Sequence, residues 1–210
     1  MSNIDNSGST LSILTLGDGD FTYSLDLARY FSLHGHETKV QLFCTSFDSQ
    51  EELLAKYKDS PYILRQLLSL QNPKLSISIL HGINAIAGFE ARIGHVDHVM
   101  FHHPHLGIED AVLHGRFLCH FFHSCIHGWM TPKGGLVHLT LVDGQFDRWN
   151  CEKAAINQGL KLVERKPFLP PPVDHPSYQY RRHQTGKSFE SRRPQGSETF
   201  VFGRIESQRM

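Results

Sequence analysis

The feature that most constrains this chain is an alternation of short, nearly continuous apolar runs with longer helical stretches. The runs at 11–16 (LSILTL), 39–45 (KVQLFCT), 75–80 (LSISIL), 96–101 (VDHVMF), 136–141 (LVHLTL), 160–166 and 198–204 (ETFVFGR) read as strands. Helices are expected at 22–33, at 49–69 with an interruption near Ser60-Pro61, at 109–128 and at 149–158. Strands buried on both faces and separated by helices build a mostly parallel sheet with helices on either side. No obvious helix joins the last two strands, so a hairpin-like return should run the final strand antiparallel. The expected class is α/β with a seven-stranded sheet.

At 210 residues the chain suits one domain, expected at 11–204, with a disordered segment at 1–10 and a short tail at 205–210. Lys+Arg and Asp+Glu are 21 each, which excludes a polybasic protein that holds nucleic acid by bulk charge. The balance is local, however. Residues 1–60 carry nine acids against four bases, and residues 161–210 carry ten bases against five acids. No apolar run is long enough for a membrane span, and the first residues lack a secretory pattern, so no membrane partner is expected. Cys44, Cys119, Cys125 and Cys151 have neither zinc nor disulfide-framework spacing, and reduced thiols are expected.

The first strand runs into Gly17-Asp18-Gly19-Asp20-Phe21. Glycines there permit a tight turn and close approach of a ligand, and the following helix offers free N–H groups. Asp18 and Asp20 are poor company for phosphate and suit a cationic or hydroxyl-rich ligand. The second strand ends at Asp48, which is placed either to accept ribose hydroxyls or to cap the next helix. The third ends near Asn84, which could read an adenine edge or hold a turn. Three polar elements at successive strand ends favour an adenosine-containing cofactor.

Taken in order, these elements resemble a family. Gly17-Asp18-Gly19-Asp20-Phe21-Thr22-Tyr23-Ser24 is similar to the G-E-G-D-F-S-F-S opening of the Rossmann-like rRNA uridine-N3 methyltransferases. Thr45-Ser46-Phe47-Asp48-Ser49, Leu54-Ala55-Lys56-Tyr57 and His81-Gly82-Ile83-Asn84-Ala85 resemble its T-S-x-D-S, L-x-K-Y and H-G-V-D-A elements. Phe101-His102-His103-Pro104-His105-Leu106-Gly107 stands where the family has F-N-F-P-H-x-G. His138-Leu139-Thr140-Leu141, Trp149-Asn150 and Tyr178-Gln179-Tyr180-Arg181-Arg182 continue the match to about residue 204. The resemblance implies a Rossmann-like fold, S-adenosyl-L-methionine as cofactor, and methyl transfer to uridine N3 in large-subunit rRNA. It assigns cofactor binding to Gly17, Asp18, Gly19, Asp20, Phe21, Ser24, Asp48 and Asn84. A nucleolar or nuclear address follows from the resemblance alone, with a cytoplasmic one otherwise, and the oligomeric state is left open. A second reading is a methyltransferase-like module that binds RNA or protein and has lost its chemistry, because His102 and His103 replace Asn and Phe of the family loop.

N3 methylation needs an imide to lose a proton while its nitrogen is held in line with the methyl donor. His102, His103, Pro104 and His105, at the end of the fourth strand, are the expected catalytic loop, with His102 toward the base and His105 orienting or relaying protons. A rival use of the 15 histidines is metal binding, since His120, His123 and His127 could share a helix face. Without HExxH or finger spacing, no metal is expected. Finally, Arg181, Arg182, Lys187, Arg192 and Arg193 with Tyr178 form a basic, aromatic stretch suited to RNA phosphates and unpaired bases. Pro170, Pro171 and Pro172 precede it as a stiff spacer.

Overall fold

Four helical stretches and seven strands were expected; in the computed structural model all seven strands join one sheet. The structure describes residues 9–34, 38–88, 90–178 and 196–205. The expected disordered segment at 1–10 and tail at 205–210 therefore fall almost wholly outside the described residues. In chain order the elements are β1 (Thr10–Leu16), α1 (Thr22–Leu33), β2 (Lys39–Thr45), α2 (Gln50–Lys56), α3 (Ser60–Ser69), β3 (Leu75–Leu80) and β4 (His98–His102). Then come α4 (Ala111–Ser124), a π-helical turn (Cys125–Trp129), β5 (Leu136–Leu141), α5 (Gln145–Arg148), α6 (Cys151–Ile156), β6 (Leu160–Pro167) and β7 (Glu198–Arg204). The sheet order is β3-β2-β1-β4-β5-β7-β6.

β1 to β5 are parallel neighbours, whereas β7 is antiparallel to both β5 and β6. Successive residues of β1 feed opposite cores. Ile13 packs with Phe21, Leu25 and Leu67 on one face, and Leu14 with Phe121 and Trp129 on the other. Two-sided burial is why the strands read as continuous apolar runs.

The interruption expected near Ser60-Pro61 divides the stretch 49–69 into α2 and α3, and Pro61 sits in the first turn of α3, where its missing N–H costs nothing. Two other stretches differ from the sequence reading. The stretch 109–128 becomes α4, capped by the Asp110 carboxylate at 2.9 Å from Leu113 N, and then widens into the π-helical turn. That turn keeps Trp129 in the core and lets its carbonyl accept from Val96 N at 2.6 Å. Val96 is thereby drawn into an isolated bridge with Met130, and β4 starts two residues later than expected. The helix expected over 149–158 is only α6, Cys151–Ile156, preceded by α5 at Gln145–Arg148, and Asn150 before it has a φ of 50°, a left-handed conformation that Asn tolerates.

Candidate functional site

The carboxyl ends of β1 to β4 border one cavity of about 620 Å³, a size suited to a small-molecule site. Its floor is the turn after β1. Gly17 has φ +63°, and a Cβ there would meet the Phe101 ring at 2.9 Å. A Cβ on Gly19 would meet the Tyr57 hydroxyl at 2.8 Å. Both glycines thus make room first for neighbouring rings, where an approaching ligand was expected. Asp18 N donates to Thr45 O at 3.0 Å, which ties the turn to β2. Phe21 takes a left-handed conformation and is fully buried, its ring edge-on to His81. Ser24 is also buried, with its hydroxyl 2.8 Å from that of Thr15. Neither Phe21 nor Ser24 borders the cavity. They shape the turn from behind.

The acids of the turn hold distinct positions. The Asp18 carboxylate accepts from Ser24 N at 2.7 Å. Burial, followed by the neighbouring Asp20 charge, pushes its pKa up to about 7. Asp20 accepts from Thr22 N and the Thr22 hydroxyl at 3.2 and 2.6 Å, at the start of α1. At the end of β2 the helix cap is Ser49, not Asp48. Ser49 and Glu52 form a reciprocal capping box, and the buried Asp48 carboxylate is left to pair with Lys56 Nζ at 2.6 Å. Ser and Asp are both good caps, and the one-residue difference was invisible without the backbone. The exposed Asn84 side chain accepts from Ile86 N at 3.1 Å and so holds a turn at the cavity edge.

The histidine loop after β4 is less uniform than its sequence. His105 Nδ1 accepts from Gly107 N at 2.8 Å, so its proton lies on Nε2, 3.5 Å from the exposed Glu109 carboxylate. Its pKa is lowered, by burial first. His103 has φ 50°, and burial brings its pKa down to about 4. Its Nδ1 lies 3.3 Å from the Tyr178 hydroxyl and its Nε2 3.0 Å from the Ser197 hydroxyl, so both ring nitrogens are engaged. His102 Nδ1 lies 2.7 Å from Thr140 Oγ1, which in turn lies 2.9 Å from Thr199 Oγ1. Its Nε2 is buried and, among the described residues, has no hydrogen-bond partner. Burial, aided by His103 and His138, holds His102 well below the usual imidazole pKa, and the ring is neutral. Tyr23 and Phe168 pack on it, with centroids at 4.1 and 5.0 Å. Pro104 is buried in the cavity wall.

Tyr178 reaches the cavity because its backbone is clamped to α1. The fully buried Asp26 carboxylate accepts from Ser177 N and Tyr178 N at 2.7 and 2.8 Å. Arg29 donates to the Ser177 hydroxyl at 2.6 Å and to His175 O at 3.2 Å while pairing with Asp26. Sequence reasoning missed this clamp, which joins positions 151 and 152 residues apart. The expected RNA-contacting residues Arg181, Arg182, Lys187, Arg192 and Arg193 lie outside the described residues. Their stretch leaves the described chain at Tyr178 and rejoins it at Gly196, beside Ser197.

Other histidines have structural uses. His114 is stacked on Trp149 at 4.0 Å, and His98 Nδ1 lies 2.8 Å from His138 Nε2 across the sheet. His123 and His127 pack at 4.3 Å, but among the described residues no three metal-ligating side chains converge.

The residues fit S-adenosylmethionine. The cluster of Asp18, Asp20 and Asp48 suits its positive charges and ribose hydroxyls, and the elevated Asp18 pKa means that a cation beside it would relieve a buried acid pair.

Comparison with known proteins agrees. An Arabidopsis thaliana protein named heavy metal-associated isoprenylated plant protein 41 is 28% identical over 181 residues, spanning 81% of this chain but only 32% of the relative. An uncharacterised protein of the same plant is 26% identical over 210 residues, spanning 92% of this chain and 93% of the relative. Among solved structures, the CMeT domain of citrinin polyketide synthase superposes with TM-score 0.54 at 11% identity, over 96% of this chain and 48% of that one. At that identity the likeness speaks for the Rossmann-like methyltransferase fold. The model of the BMT5-like rRNA (uridine-N3-)-methyltransferases matches residues 14–182. A match over that share of the chain, carrying the glycine turn, the histidine loop and the clamp, decides the matter: the chain belongs to this family of S-adenosylmethionine-dependent RNA methyltransferases.

Proposed function

We propose that the chain methylates N3 of a uridine in large-subunit rRNA, with residues 11–204 acting as one domain. When bound, S-adenosylmethionine supplies an electrophilic methyl on a sulfonium. Asp18, Asp20 and Asp48 hold its cationic and hydroxyl groups, with Asn84 at the adenine edge. The observation that supports the reading is the buried Nε2 of His102, which has no partner among the described residues and lies at the wall of the same cavity.

The chemistry follows from charge. Held by Asp18, Asp20 and Asp48, the cofactor would supply the methyl that N3 takes, while the N3 proton would pass to His102 Nε2 and on to water after release. The imidazolium so formed would replace the positive charge that the cofactor brings, and the cavity would keep its net charge. A low dielectric makes that constancy valuable, because creating a new buried charge there is expensive. Tyr23 and Phe168 shield Nε2 from water until an entering base displaces a ring from its face. Holding both reactants in contact supplies a further share of the rate.

The basic stretch beginning beyond Tyr178 binds the RNA backbone through Arg181, Arg182, Lys187, Arg192 and Arg193. A nucleolar address accords with an rRNA substrate. Among the described residues no helix is long and apolar enough to cross a membrane. The test is transfer of labelled methyl from S-adenosylmethionine to total RNA followed by nucleoside analysis. N3-methyluridine is the expected product. A folded chain that binds the cofactor but labels no RNA would favour the non-catalytic module.

A further inference from the structure

The loop after β4 turns sharply at both ends, with positive φ at His103 and Gly107, and a buried side chain from α4 holds it. His114 is 1% exposed, and both of its ring nitrogens meet backbone groups. Nδ1 lies 2.7 Å from Asp110 O, and Leu106 N donates to Nε2 at 3.2 Å. A carbonyl only accepts and an amide N–H only donates. Both contacts therefore demand the same neutral ring, protonated on Nδ1 and bare on Nε2. Trp149 fixes the plane of that ring, stacked on it at 4.0 Å and 12°. A Cβ on Gly115 would meet Trp149 O at 2.8 Å, so the glycine beside His114 is what lets the Trp149 backbone come against α4.

The state of His105 is set by the same loop. Its ring centroid is 4.7 Å from that of His114, and the next residue, Leu106, is the one that His114 holds. Gly107 N donates to His105 Nδ1 at 2.8 Å, so the His105 proton is on Nε2. With Nδ1 occupied, the ring donates from Nε2 and does not hand a proton from one nitrogen to the other. That N–H faces the Glu109 carboxylate at 3.5 Å, on a side chain 83% exposed, and a long pair of this kind gives way readily to a ligand. His105 and Glu109 both border the cavity.

We propose that His114 is a positioning residue that fixes residues 105–107, so that His105 Nε2–H donates to a carbonyl oxygen flanking N3 of the target base. Negative charge moves onto that oxygen as the N3 proton leaves, and a donor already in place stabilises it without reorganisation. The base contact rests on the methyl-transfer reading above; the lock on His105 does not.

The test joins two-bond ¹H–¹⁵N correlation of the histidine-labelled chain to RNA methylation kinetics, with signals assigned by their loss in His105→Ala and His114→Gln. The wild type should show His114 protonated on Nδ1 and His105 on Nε2. In His114→Gln the longer side chain brings its oxygen to the place of Nε2 and still accepts from Leu106 N. In His114→Asn the shorter side chain reaches Asp110 O only. The Gln variant should keep the His105 signature and most of the turnover. The Asn variant should lose that signature and about tenfold in turnover, with cofactor affinity by calorimetry unchanged. His105→Ala should cost about 10²-fold, the scale of one donor to a developing oxyanion. Adding His114→Asn to His105→Ala should cost nothing more, because the first acts through the second. A different tautomer in either wild-type ring, a His105 signature kept in His114→Asn, or losses that multiply in the double variant overturn the proposal. If the spectra behave as expected and no chain, wild type included, methylates RNA, the methyl-transfer reading fails together with its base contact, while the lock on His105 stands.

Discussion

The two halves of the cavity are built on opposite electrostatic plans. The half on β1, β2 and β3 carries three carboxylates, one of them raised to a pKa of about 7, with Lys56 close to Asp48. The half that follows β4 carries, among the described residues, no buried carboxylate. It presents His102 and His103, both held neutral, among Tyr23, Phe168 and Tyr178. An excess of buried acid is unstable until a cation arrives. On the proposed function, a neutral aromatic wall would accept a flat, uncharged base, with His102 Nε2 placed to take its proton. The difference teaches that binding and chemistry are separable in this site, and that substitutions in one half should leave the other half's function standing.

The strongest attempt to break that separation is His102→Ala. Turnover should fall about 10²- to 10⁴-fold, the usual share of general base catalysis, with cofactor affinity by calorimetry nearly unchanged. A large loss of cofactor binding in this variant would merge the two halves. Next comes the clamp that links them. Asp26→Ala leaves Arg29 and two backbone N–H groups without their buried carboxylate and should cost about 3–5 kcal/mol in denaturant unfolding. Unchanged unfolding would show that the 175–178 segment is dispensable to the fold.

Asp18→Asn sharpens the comparison from the other side. Losing a charge-assisted contact worth about 1.5–3 kcal/mol should weaken S-adenosylmethionine by roughly tenfold to a hundredfold. Wild-type affinity should also drop as pH falls through about 7, where Asp18 takes up its proton, and this slope should vanish in the variant. The unliganded protein should respond in reverse. A raised folded pKa favours the protonated native state, so that contribution is full below the usual 3.8 and is lost as pH rises through about 7. Asp18→Asn should therefore be more stable than wild type at pH 8, with the gain shrinking toward pH 4. The smallest effect is the RNA salt dependence. Replacing Arg181 and Arg182 with Ala should lower the log–log slope by about 1.4 if both contact single-strand phosphates. Equal slopes would remove that stretch from the RNA interface.

Most strands were legible as short apolar runs, and the return of β7 was legible from the missing helix before it. Its insertion between β5 and β6 was not, since register is set by pairing partners far away in sequence. The cavity acids were legible as polar residues at strand ends. That Phe21 stands behind the turn and off the cavity lining was not legible, because a positive φ on an aromatic leaves no mark in a motif. His102, His103 and His105 look alike in sequence, yet partners from β5, from the segments flanking β7 and from the backbone give them three different roles. Asp26 read as one more polar helix residue, and only the folded chain brings Ser177 and Tyr178 to it.

The anchoring of one ring by two distant hydroxyls bears on how this chain can change over time. Tyr178 and Ser197 both meet His103, so the stretch between them starts and ends at the same place whatever its length. Closing such a loop costs only about 0.6 kcal/mol more for each doubling of its residues. Residues can be added, removed or recharged there while the sheet and the methyl-donor cavity stay as they are. On the proposed function, proteins built on this frame would change which RNA they hold without first giving up a stable fold.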